Sequence, residues 1–216
     1  MFIVAWLAAS LVFRLGLTIF APHAGDPGLL TRLVRYFSYF TIQSNFVVGL
    51  ASAAVVWGWP RWAWPLDGLH ARALRLASLM GITVTGIVYT VVLRSTSDLQ
   101  GLEVVTNAML HYIAPPLALG AWLVVGPWPP FAFGDVLRAL VWPVAWIAYT
   151  LAHGAVSDWY PYPFIDVIKH GYGRVAVNIV VITVFALLIG CAVVGVNRLL
   201  RRRVSAEPRA GLGDMA

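Results

Sequence analysis

Long stretches without a single charged side chain constrain this sequence more than any other feature. Residues 36–59, 76–93, 104–134 and 175–197 hold no Asp, Glu, Lys or Arg, and 2–20 hold only Arg14. Residues 139–157 are also uncharged and carry one imidazole, His153. A helix crosses the hydrocarbon core of a bilayer in roughly 20 residues. The pattern predicts an all-α polytopic membrane protein, a bundle of six transmembrane helices at about 2–20, 36–58, 74–93, 105–125, 138–156 and 174–197.

Composition excludes a water-soluble reading. The chain is 60% hydrophobic and 11% charged, with a mean hydropathy of +0.80, whereas soluble domains carry about 25% charged residues. In water such a chain would expose large apolar patches. One membrane domain over 1–203 and a short disordered tail over 204–216 account for the whole sequence. The first span lacks a basic residue ahead of its apolar run and is interrupted by Arg14, so it reads as a retained helix and not a signal peptide.

The net charge of +6 is no nucleic-acid footprint, because Arg198, Arg201, Arg202, Arg203 and Arg209 supply most of it, just beyond the last span. With six spans both termini share a side. That side also holds Arg61, Arg72, Arg75 and Arg138, against Arg32, Arg35, Arg94, Lys169 and Arg174 opposite. The positive-inside rule therefore places both termini in the cytoplasm. Asp26, Asp98, Glu103, Asp158 and Asp166 fall in the outer loops. Arginine outnumbers lysine fourteen to one, which points to a GC-rich genome and a bacterial plasma membrane. The single cysteine, Cys191, excludes an intrachain disulfide.

Trp57, Trp59, Trp62, Trp64, Trp122 and Trp128 edge the inner loops and read as an interfacial aromatic belt. Gly81, Gly86 and Gly190 are expected to let helices approach closely. Pro115 and Pro116 fall inside the fourth span, where they remove two backbone donors and kink the helix, next to His111.

Polar groups inside the spans gather toward the outer end. Thr41, His111 and Arg14 each lie about five or six residues from the outer end of their spans, roughly 8–10 Å deep. Tyr149, Thr150, His153 and Asn178 reach the same third, while the inner halves offer little beyond Ala, Val, Leu and Ile. Thr41, Ser44 and Asn45 share a helix face at i, i+3, i+4; Asn107 and His111 share another, and Tyr149 and His153 a third. Polar stripes are costly against lipid and belong in the bundle interior. A hydroxyl becomes a nucleophile when a base within hydrogen-bond reach takes its proton, which makes Thr41 the candidate nucleophile and His111 its base. Backbone N–H groups or Asn45 would hold an oxyanion. Asp158 and Asp166 are the loop candidates to orient the imidazole, and Arg14 would clamp a substrate carboxylate or pair with an outer carboxylate. A zinc site built from His111, His153, His170, Asp158 and Asp166 is the competing chemistry, but HExxH and CxxC spacings are absent; no metal or other cofactor is expected.

Three short segments resemble one family. Tyr-Phe-Thr at 39–41, His-Tyr-Ile-Ala-Pro-Pro-Leu at 111–117 and Tyr-Pro-Phe-Ile-Asp at 162–166 are similar, in order and spacing over roughly 36–195, to segments of the androgen-induced protein family, which includes the androgen-dependent TFPI-regulating protein. The nearest fit is a bacterial six-helix branch of that family. The resemblance implies a membrane threonine hydrolase acting on fatty acid esters of hydroxy fatty acids, with Thr41 and His111 as its catalytic pair. Two departures stand out: Gln43-Ser44-Asn45 replaces a more apolar stretch with an acidic residue, and His153 stands alone where the animal proteins carry adjacent histidines. The expected function is thus hydrolysis of lipid esters by Thr41 and His111, with Arg14, Ser44, Asn45, Asn107, His153 and Asp158 in support. The alternative is a non-enzymatic small transporter or lipid-binding or sensing protein, and a transporter would need polar residues through both membrane halves.

Overall fold

The structure, a computed structural model, describes residues 1–21, 25, 27–57 and 68–206, with side chains through 203. Asp26, Arg61, Trp59, Trp62, Trp64, Arg209 and the tail from 207 onward lie outside the described residues, so the predictions resting on them do too. Among the described residues the chain is helical without strands: α1 Phe2–Phe20, α2 Leu29–Ser38, α3 Phe40–Trp57, α4 Leu69–Val88, α5 Leu102–Asn107, α6 Ala114–Val125, α7 Phe133–Ser157 and α8 Val167–Ala206. A π-helical turn, Tyr89–Leu93, prolongs α4, and another, Ala108–Ile113, joins α5 to α6 into one rod. Six of the resulting rods are long and apolar enough to cross a membrane, as the sequence predicts.

The boundaries differ in instructive ways. The second predicted span is two helices, because Tyr39 adopts an extended conformation (ψ 125°) that ends α2 and starts α3. Thr41 is therefore in the first turn of α3, closer to the helix end than the expected depth. The later helices start five to seven residues earlier than predicted, or three in the case of α5, because charged end residues such as Arg72 and Arg138 continue the helix past the apolar run. Helix α8 bends at Gly171, whose φ of 72° suits glycine.

Helix α4 is the central element. It packs on α3, α6, α7 and α8, while α1 closes the far side of α3. Helices in lipid gain little from hydrophobic exclusion and rely on close packing and interhelical hydrogen bonds. The three glycines supply the first. A Cβ on Gly81 would stand 2.7 Å from Trp142, on Gly86 3.0 Å from Pro115 and on Gly190 2.7 Å from Val136. The second comes from Ser44 Oγ to Thr85 Oγ1 at 2.8 Å, Trp142 Nε1 donating to Gln43 Oε1 at 3.0 Å and Trp146 Nε1 donating to the Ser38 carbonyl at 2.9 Å.

The end of the bundle that carries the termini is more polar than expected. Asp135 is fully buried and pairs with Arg72 at 3.2 Å and Arg138 at 3.1 Å. Asn197, also fully buried, donates to the Pro129 carbonyl at 2.7 Å and accepts from Trp122. Trp122 is consequently a core residue and not part of an aromatic belt, and Trp128 donates to its carbonyl. Trp57 is exposed as a belt residue should be.

Candidate active site

At the opposite end, α2 contributes to the wall of an open cavity of about 640 Å³. Leu30, Val34 and Phe37 of α2 point away from the protein, while Arg32, Arg35 and Tyr36 face the cavity. Arg14, Glu103, Thr41 and His111 also line it. On its floor, Thr41 Oγ1 lies 3.0 Å from His111 Nε2. Helices α3 and α5–α6 thus bring the two residues face to face, which equal depth alone left open.

Backbone geometry explains the approach. Proline at 115 and 116 has no N–H for the carbonyls one turn earlier, and the chain meets this with the π-helical turn that contains His111. The kink expected at the prolines is therefore a local widening at the histidine itself. The π-helical turn at the end of α4 sits opposite, and its Tyr89 ring stacks on the imidazole at 4.1 Å between centroids. Such single-turn widenings recur at functional sites because they re-aim side chains that a regular helix would hold elsewhere.

A third residue completes the cluster. Tyr162 Oη is 3.1 Å from Thr41 Oγ1 and accepts the Thr41 backbone N–H at 3.1 Å. His111 Nδ1 faces the Asn107 carbonyl at 3.2 Å. One set of proton positions satisfies all four contacts. The carbonyl demands a proton on Nδ1, which leaves Nε2 as an acceptor. Thr41 then donates to Nε2 and Tyr162 donates to Thr41. The reverse order would place a bare Nδ1 against a carbonyl oxygen. Tyr162 is buried, and burial pushes its phenol up to about 12, with the hydrogen bonds to Thr41 acting the other way.

The remaining expected residues take different places. Asn107 orients His111 through its backbone oxygen, and its side chain donates to Tyr89 Oη at 2.7 Å. Neither aspartate proposed for that task reaches the imidazole: Asp166 accepts from the Lys169 backbone, and Asp158 ends α7 in a left-handed conformation. Asn45 is no oxyanion donor, because its amide donates to the Thr41 and Leu110 carbonyls; its Oδ1 is buried without a partner among the described residues. Ser44 bonds the Thr41 carbonyl and Thr85. His153 sits apart, bonded to Ser157 and edge-on to Trp159. Arg14 pairs with Glu103 at 3.1 Å on the cavity wall. Among the described residues no three His, Cys, Asp or Glu converge as metal ligands would.

No family model, curated protein or solved structure matches the chain.

Tyr162 is a member of the cluster that depth and helical spacing in the sequence miss. The signal was present in the Tyr-Pro-Phe segment, where a proline-fixed turn, Pro163–Ile165, seats the tyrosine in the core. Tyr89 gave no comparable signal, since a tyrosine at the end of an apolar helix looks like an interfacial anchor.

Proposed function

We propose that the protein is an integral membrane ester hydrolase that uses Thr41 as nucleophile and His111 as general base, acting on lipid esters. The observation that carries this reading is the 3.0 Å contact between Thr41 Oγ1 and His111 Nε2, with the imidazole held by a carbonyl on its other nitrogen. A buried hydroxyl beside an oriented imidazole is the arrangement an activated nucleophile needs.

In the proposed reaction, Thr41 Oγ bonds to the ester carbonyl carbon as its proton passes to His111 Nε2. The carbonyl electrons move to oxygen, and the Tyr162 phenol, whose hydrogen bond to Oγ weakens as that oxygen becomes bonded to the former carbonyl carbon, donates to the oxyanion. The tetrahedral centre collapses with cleavage of the bond to the alcohol oxygen, which takes the proton from His111. Water then attacks the acyl-threonine, gives a proton to His111, and releases the acid as Thr41 regains its proton. Thr41, His111 and Tyr162 each come from one of the three segments that resemble the androgen-induced proteins, which supports the hydrolase reading.

The charge bias between the loops supports cytoplasmic termini, so the cavity opens on the outer side of a plasma membrane. There an ester carbonyl just below the lipid headgroups reaches Thr41 without leaving the bilayer.

Labelling of detergent-purified protein with a fluorophosphonate tests the reading. Wild type should label, and Thr41→Ala and His111→Ala should not. Absence of labelling in folded wild type, or full ester turnover by Thr41→Ala, would reject it. A non-enzymatic lipid-binding role is the second reading, favoured by the apolar slot that adjoins Thr41; ligand binding without turnover would select it.

A further inference from the structure

The carbonyl of Thr41 accepts from two side chains of its own helix, Ser44 Oγ at 3.0 Å and Asn45 Nδ2 at 2.8 Å. Asn45 is fully buried, and its amide also donates to the carbonyl of Leu110, at 3.4 Å. Leu110 precedes His111 in the π-helical turn Ala108–Ile113. One amide therefore bridges the two segments that carry the proposed nucleophile and base. Chemistry fixes its orientation, because exchanging oxygen and nitrogen would set Oδ1 against two carbonyl oxygens.

The Leu110 carbonyl needs this donor. In a regular helix it would accept from Ala114, but Ala114 gives its N–H to Met109. In the wider π register the donor would be Pro115, which has no N–H. Leu110 is 3% exposed, so bulk water is no alternative partner, and a buried carbonyl must find a donor elsewhere. Asn45 supplies from α3 what Pro115 withholds. Its own Oδ1 is buried without a partner among the described residues. An unpaired buried acceptor costs stability, so packing alone gives no reason for an amide at this place.

The bridge bears on where the reacting pair meets. Thr41 is held through its backbone on both sides, by Tyr162 on the N–H and by Ser44 and Asn45 on the carbonyl. The Asn107 carbonyl on Nδ1 sets the rotation of the His111 ring, but it belongs to the same rod and leaves the spacing to α3 open. Asn45 ties the backbone of one segment to the backbone of the other. A displacement of about 1 Å between reacting groups costs about a hundredfold in rate.

We propose that Asn45 is a positioning residue: by holding the Thr41 and Leu110 carbonyls together, its amide sets the distance between Thr41 Oγ1 and His111 Nε2. The consequence for turnover rests on the hydrolase reading, whereas the distance itself is measurable without substrate.

The test follows the His111 ring nitrogens by NMR in histidine-labelled protein, assigned by their loss in His111→Ala, beside steady-state hydrolysis of p-nitrophenyl butyrate. The Nε2 signal of Thr41→Ala marks an imidazole without its donor. Asn45→Ala should move Nε2 toward that position, lower kcat about a hundredfold and leave KM within about twofold. If Asn45→Ala fails to fold, Asn45→Asp keeps the shape but offers at most one proton, enough for one carbonyl and not both. It should move Nε2 the same way and lower kcat about tenfold or more. Asp135→Ala, altered at the other end of the bundle, controls for lost stability and should leave Nε2 in place. A wild-type Nε2 signal in either folded Asn45 variant overturns the proposal, as does an equal movement in Asp135→Ala. Wild type that turns over no ester, with Nε2 still moved in the Asn45 variants alone, would reject the hydrolase reading and leave Asn45 as the residue that sets the pair.

Discussion

Tyr162 Oη contacts Thr41 twice, taking its backbone N–H and meeting its Oγ1, each at 3.1 Å. The phenol thereby locks the first turn of α3 to the turn that precedes α8. It also points its own proton at the oxygen proposed to react. Removing one pre-positioned oxyanion donor costs about a hundredfold or more in turnover. Tyr162→Phe is accordingly expected to lower kcat about a hundredfold while leaving KM nearly unchanged, because the ring and its packing on Phe164 persist. Equal turnover in steady-state ester hydrolysis would remove Tyr162 from the mechanism.

The same phenol makes a prediction about pH. An ordinary tyrosine ionises near 10, whereas burial raises Tyr162 to about 12. The donating, protonated form therefore persists as pH rises past 10 and is lost only as pH approaches 12. The pH–rate profile should show no fall centred on pH 10. The alkaline limb near 12 should shrink in Tyr162→Phe relative to wild type. A fall at 10 that Tyr162→Phe abolishes would contradict the burial-raised phenol.

Orientation of His111 is assigned to a backbone atom, and this separates two substitutions that look alike. Asn107→Ala keeps the carbonyl that accepts from Nδ1 and removes only the side-chain bond to Tyr89 Oη. One hydrogen bond is worth about 1 kcal/mol, so turnover should fall about fivefold. His111→Ala should abolish it. Nitrogen NMR of the imidazole should find Nδ1 protonated in wild type and in Asn107→Ala alike. A switch of tautomer in Asn107→Ala would show that the amide side chain, and not the carbonyl, holds the ring.

Charge-free stretches and glycine spacing made the bundle legible in the sequence, because lipid permits few solutions to a segment without charges. Gly81, Gly86 and Gly190 each lie in close contact with a neighbouring helix, as predicted. Thr41 and His111 were found by depth and polarity. Their rotation toward each other was not readable, since it depends on the π-helical turn at Ala108–Ile113, and hydrophobic periodicity does not encode such a turn. The break at Tyr39 was hidden because apolar and aromatic residues continue through it. Acidic loop residues misled for a physical reason. An imidazole in a bundle can be oriented by a helix carbonyl that the widened turn leaves free, so no aspartate is needed.

The buried carboxylate at the terminus end makes the last prediction. Asp135 holds Arg72 from α4 and Arg138 from its own helix, and it accepts the Ala132 backbone N–H at 2.9 Å. Removing one partner of a fully buried ion pair costs about 3–5 kcal/mol. Arg138 is half-exposed here and recovers water on losing its partner, which brings the expected loss for Asp135→Ala to about 2–3 kcal/mol. Cys191, the only cysteine, sits half-buried in α8 and serves as a built-in reporter. A thiol-reactive fluorophore added during heating should see Cys191 exposed several degrees earlier in Asp135→Ala than in wild type. Asp135→Asn, which retains an acceptor for the Ala132 N–H, should fall between the two. Because the carboxylate is at the opposite end from Thr41, catalytic turnover measured below the transition should be unchanged in both variants. A matching loss of turnover would mean that the two ends of the bundle are coupled through α4.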